Sequence, residues 1–244
     1  YLKMWARSLA PNSIYLWWES YMPVKRKLLY TIGVIILWIL SYCSIQFLIT
    51  TSSNNFLLPI DQKIPFIPEF IWIYHSLLPI LVITMVWMVK TRQNFFNMLW
   101  ACIMAGIIMN IFYVMVPCFY PRMPFEASTL SEFVVQITRY VDNAHNTLPS
   151  GHVTFAWLTL LAFANCDIFT SSRFLKFSYI SWAILVSIST LTLKQHYVVD
   201  VVSGIVLAFL SFYSVRYLLN RYRSSLYYLR YNDNQEKTIS LLEA

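Results

Sequence analysis

Charge is scarce in this chain. Of its 244 residues 12% are Asp, Glu, Lys or Arg, while 58% are hydrophobic. A soluble domain carries about twice that share of charge, so a water-soluble globule is excluded. Long uncharged runs and a mean hydropathy of +0.56 make it a polytopic membrane protein, all-α. Glycine is nearly as scarce: Gly33, Gly106, Gly151 and Gly204 are all there are, so one lying beside chemistry-bearing residues is informative. Cys43, Cys102, Cys118 and Cys166 make no CxxC pair, which removes the basis for a disulfide framework or a zinc site. They read as small packing residues, and Met98, Met104, Met109 and Met115 likewise as packing rather than as any cofactor box, so no cofactor is expected. Acidic residues are the minority, 11 against 18 Lys and Arg. The basic residues form no continuous face, so no nucleic-acid partner is expected; they flank the apolar runs instead. The first apolar run is long enough to span and follows a charged stretch, so no cleavable signal peptide is expected.

Six apolar runs follow in order, at about 28–49, 70–89, 95–116, 152–164, 177–193 and 198–219. The fourth is short for a membrane crossing, so its ends are expected to extend or tilt. Before them, residues 1–27 interleave Tyr15, Trp17, Trp18 and Tyr21 with Lys3, Arg7, Lys25, Arg26 and Lys27. This is either a helix at the lipid headgroups or a plain cytosolic lead-in. Residues 28–219 form the six-span membrane domain, and residues 220–244 a polar cytosolic tail. Six crossings put both termini on one side. Lys90, Arg92, Arg173, Lys176, Arg216, Arg221, Arg223 and Arg230 lie on that side with the N-terminal cations, and only Lys63, Arg122, Arg139 and Lys194 on the other. The positive-inside rule then makes the termini cytosolic. The longest polar segment, Pro117 to Pro149, faces the outside or a lumen, and a loop of that length is commonly functional.

Two short segments hold two of the four histidines, each at the start of an apolar run. In Lys194-Gln195-His196-Tyr197-Val198-Val199-Asp200, His196 and Asp200 are four apart and share one helical face. A carboxylate beside an imidazole fixes its tautomer, and a neutral histidine nitrogen can then attack phosphorus. In Thr147-Leu148-Pro149-Ser150-Gly151-His152, a helix start offers free N–H groups and a positive dipole end to an anion. Ser150 adds a hydroxyl, Gly151 admits close approach of a phosphate, and His152 can serve as general acid and then base. Arg122 and Lys194 are the cations best placed to neutralise phosphate oxygens. Each segment alone has a plain structural reading, a capping turn or an interfacial His–Asp pair. Their co-occurrence is what points to phosphate chemistry.

Pro149-Ser150-Gly151-His152 followed by His196-x-x-x-Asp200 resembles the type 2 phosphatidic acid phosphatase (PAP2) superfamily over the region from the second span to the sixth. That superfamily includes membrane lipid phosphatases, polyprenyl pyrophosphate phosphatases and headgroup transferases. The resemblance implies a six-helix membrane core without a metal. It also implies His196 as the nucleophile that becomes phosphorylated, Asp200 as its support, His152 as the acid, and Ser150 and Gly151 as phosphate ligands. Two departures stand out. The family's Lys-x6-Arg-Pro motif is absent, its nearest counterpart being Tyr120-Pro121-Arg122, and Ser189-Thr190 stands where the family has serine-arginine. Lys194 is then a candidate replacement cation. The run Thr192 to Asp200 is similar to the branch of inositol phosphorylceramide and sphingomyelin synthases.

The leading expectation is therefore a metal-independent membrane lipid phosphatase whose substrate is a lipid phosphate or pyrophosphate at the outer or lumenal leaflet. The alternatives are a phosphotransferase with an alcohol acceptor and a non-enzymatic transporter or degenerate relative. The last is disfavoured by the scarcity of charge within the spans. Neither the particular lipid nor the oligomeric state follows from the sequence.

Overall fold

The computed structural model describes residues 20–49, 54–142, 144–166, 169 and 171–242, with side chains as far as 225. Most of the aromatic N-terminal stretch, read as either a headgroup helix or a cytosolic lead-in, lies outside the described residues. Among these residues there are helices and isolated bridges but no strand ladder. The helices are α1 (Val24–Leu48), α2 (Pro59–Lys63), α3 (Pro68–Met88, a composite), α4 (Arg92–Met115), α5 (Leu130–Val141), α6 (Gly151–Ala164), α7 (Arg173–Thr192) and α8 (Val198–Leu242). Five of them, α1, α3, α4, α7 and the first part of α8, are long and apolar enough to cross a membrane.

The fourth apolar run behaves differently from the other five. Helix α6 ends where the apolar run ends and has 14 residues, about 21 Å of rise against a hydrocarbon core of about 30 Å. A helix apolar on every side belongs in an interior, and α6 packs against α3, α4, α7 and α8 at once. Val153, Ala156, Leu158 and Phe163 are fully buried. Surrounded by protein, it has no need to match the bilayer, so the expected extension does not occur.

Helix α3 is not one regular helix. It opens on a 3-10 turn at Pro68–Phe70, breaks at Ser76 between Ile71–His75 and Leu77–Ile83, and closes in a π turn at Thr84–Met88. Pro79 explains the break: it has no N–H for the carbonyl of His75 and its ring crowds that carbonyl. Ser76 seals the gap, its hydroxyl donating to Ile73 O at 2.6 Å and accepting from Trp182 Nε1 at 2.9 Å.

The last helix runs past the sixth apolar run: α8 continues unbroken to Leu242, through most of the polar tail. Residues 220–242 contain no proline or glycine, so nothing in them stops a helix.

At one end of the bundle the basic residues are tied to neighbouring elements. Lys27 Nζ donates to Val89 O at 2.9 Å, Arg216 to Asn165 Oδ1 at 2.6 Å, and Arg223 to Asn97 Oδ1 at 3.1 Å. The starts of α6 and α8 lie at the other end. Helix α1 is the least buried of the spanning helices. Besides its packing against α4 and the π turn of α3, it is held at its far end by Tyr42 and Gln46, which donate to Asp142 Oδ1 at 2.6 and 2.9 Å.

Candidate active site

The site is built from two helix starts pressed together. Ser150 caps α6, its Oγ accepting from Val153 N, while its own backbone N–H donates to Asp200 O at 3.0 Å. Thr154 Oγ1 donates to Ser150 O and to Gly204 O. Gly204 makes this crossing possible: a Cβ there would lie 2.8 Å from Ser150 O. The two motif segments are thus locked by backbone contacts, with Ser150 and Asp200 fully buried beneath the surface they form.

His196 is delivered by the turn between α7 and α8. Helix α7 ends in a Schellman motif, with Lys194 N bonded to Leu191 O and Gln195 N to Thr190 O. That motif needs a left-handed residue just past the helix, normally glycine, and Lys194 fills it with φ 55°. Its Nζ donates to Asp61 O at 2.9 Å, and burial lowers its basicity relative to an ordinary lysine. Asp61 in α2, itself buried, accepts from Val198 N at 2.9 Å and from Leu58 N at 2.7 Å. Arg139 grips the same turn from α5, donating to Leu193 O at 3.1 Å with its guanidinium over the rings of Phe66 and Phe125. Burial, then the nearby Arg122, pulls its pKa down to about 10, which leaves it charged at neutral pH.

Within that frame, His196 Nδ1 lies 3.3 Å from Asp200 Oδ2, which also accepts from Tyr197 N at 3.0 Å. The pairing holds the proton on Nδ1 and leaves Nε2 as the free nitrogen. His152 sits in the first turn of α6, its ring stacked on Tyr74 with centroids 3.7 Å apart. Tyr113 supports the segment by donating to Pro149 O at 2.9 Å. Gly151, His152 and His196 all line one cavity of about 640 Å³, within the usual size of a small-molecule site. A Cβ on Gly151 would meet protein atoms no nearer than 3.6 Å, so the protein itself does not require glycine there.

Sequence reasoning also placed Arg122 and Lys194 at the phosphate. Neither is among the residues that line the cavity. Arg122 donates to the backbone carbonyls of Asp142 and Arg139 and lies 3.8 Å from the Asp142 carboxylate. Asp142 links it to the cavity wall. Conversely, the structure brings Tyr74, His75, Asp142 and Asn146 to the wall, none of which the sequence singled out as ligands. His75 carried a faint signal as one of four histidines; Asp142 and Asn146 lie in the polar segment flagged as functional by its length.

Beyond the polar end, the cavity is apolar. It is walled by α1 from Thr31 to Gln46 and by Leu81, Met85, Leu99 and Phe155. The rise of α1 from Thr31 to Gln46 corresponds to about 22 Å of depth.

In comparison with known families, residues 62–214 fit the family model of the PAP2 superfamily. No curated protein and no solved structure matches the chain.

Proposed function

The chain belongs to the PAP2 superfamily, and from that premise we propose that it is a membrane lipid phosphatase working through a phosphohistidine. The observation that carries this reading is the cavity itself. It joins His152 and His196 at one end to a deep apolar channel at the other, which suits a molecule with a phosphate head and a hydrocarbon tail. His196 Nε2 attacks phosphorus, the bond from phosphorus to the lipid oxygen breaks, and His152 gives that oxygen its proton. Asp200 steadies the positive charge that develops on the His196 ring. In the second half His152 takes a proton from water, whose oxygen attacks phosphorus and releases inorganic phosphate from His196. The positive-inside pattern puts this chemistry at the outer or lumenal face, with the termini cytosolic.

Transfer to an alcohol shares the first half, with a hydroxyl replacing water in the second. The size of the cavity favours keeping this reading, since an acceptor needs room that water does not. The residues from Thr192 to Asp200, similar to the branch of inositol phosphorylceramide and sphingomyelin synthases, add to it.

The test is phosphate release from lipid phosphates by purified protein in EDTA, beside His196→Ala and with an alcohol acceptor followed by mass spectrometry. We expect release that survives chelation and falls at least about 1,000-fold in the variant. A phosphorylated acceptor with little free phosphate would establish transfer instead. Equal release by both proteins would overturn the mechanism.

A further inference from the structure

The catalytic end of the cavity is poor in positive charge. Among the described residues that line it there is no lysine or arginine, while a carboxylate, Asp142, stands in the wall. Lys194 bonds to the Asp61 carbonyl away from the lining, and Arg122, itself outside the lining, bonds to Asp142 in the wall. A phosphate entering here needs donors, and those on offer are neutral.

Asn146 is the side chain that fits. It is 2% exposed, lines the cavity with His152 and His196, and neither its Oδ1 nor its Nδ2 has a hydrogen-bond partner. A buried carboxamide without partners is costly and rare. Its backbone is satisfied, with its N–H donating to Cys118 O at 3.0 Å. Thr147 and Gln195 also bury polar atoms without partners, but neither lines the cavity. Asn146 has a left-handed backbone, φ 67°, which asparagine tolerates better than most residues. Backbone shape alone would therefore explain an asparagine, but not a buried, unpaired amide on a residue that lines the cavity.

We propose that Asn146 is a phosphate ligand, its Nδ2–H donating to a non-bridging phosphoryl oxygen where no lysine or arginine stands among the described lining residues. This rests on the phosphate reading above. Backbone N–H groups at the start of α6 complete a set of neutral donors.

Glycine separates the two roles of Asn146. Asn146→Gly suits the left-handed backbone and deletes the amide, Asn146→Ala deletes the amide and strains the backbone, and Asn146→Asp keeps the shape but presents an anion. Two readouts on the full chain in detergent are needed: hydrolysis of phosphatidate, and calorimetric binding of inorganic phosphate. We expect Asn146→Gly to melt at or above the wild-type temperature yet lose about 10- to 100-fold in kcat/KM and in phosphate affinity. Asn146→Asp should lose at least as much. If Asn146→Gly binds phosphate as the wild type does, or the wild type binds none, the proposal fails. If phosphate binding shows the expected losses but no lipid phosphate is turned over, the proposal stands and the phosphatase reading falls.

Discussion

At residue 194 a lysine occupies a backbone conformation that costs an L-residue about 1 kcal/mol or more relative to glycine. The bond from its Nζ to Asp61 O returns about as much. Lys194→Gly should therefore change the melting temperature by no more than a few degrees, and kcat/KM by less than about threefold. A loss of tenfold or more, with normal stability, would show that the ammonium does reach the phosphate. His152, His196 and Asp200 were legible because their spacing repeats a known motif. The role of Lys194 was not, since sequence shows a cation near a histidine but not the Schellman turn that directs its side chain to Asp61. Asn146 was illegible for a related reason: a left-handed asparagine and a loop asparagine read alike until burial is known.

Between elements, the decisive contact is the crossing of α6 and α8. Gly204 lets the Ser150 carbonyl come close, and the same crossing sets the spacing between His152 and His196. Gly204→Ala would place a methyl against backbone rather than against a yielding side chain. Such overpacking typically costs about 1 to 3 kcal/mol. Thermal unfolding should reveal that cost, and kcat should fall more than KM rises because the two histidines are pushed apart. A variant with wild-type melting and kcat would mean that the crossing has slack. The positions of the apolar runs in the sequence anticipated these helices to within a few residues. They did not show the break in α3, because hydropathy is blind to the N–H that Pro79 withholds, nor the continuation of α8 through a polar stretch that has no stop signal.

For the molecule as a whole, the cavity depends on how α1 is held against the other helices. Asp142 gathers Tyr42 and Gln46 from α1 and Arg122 from the loop before α5, so one carboxylate ties α1 to the segment that also carries Asn146. Replacing both donors, Tyr42→Phe with Gln46→Leu, should destabilise the protein by about 1 to 3 kcal/mol. It should also widen the cavity, raising KM for a lipid substrate more than it lowers kcat. Unchanged KM at reduced stability would separate the tether from substrate binding. No single run of sequence announces this link: its partners lie about a hundred residues apart, and they pair only once α1 and α5 converge.

Helix α1 turns Leu37, Leu40 and Phe47 outward, at 66%, 60% and 89% exposure, while its opposite face walls the cavity. A lipid passing beside such a helix travels in two dimensions, within the leaflet. Turnover should then follow the mole fraction of substrate in the vesicle or micelle, and dilution with inert lipid at constant bulk concentration should slow the reaction in proportion.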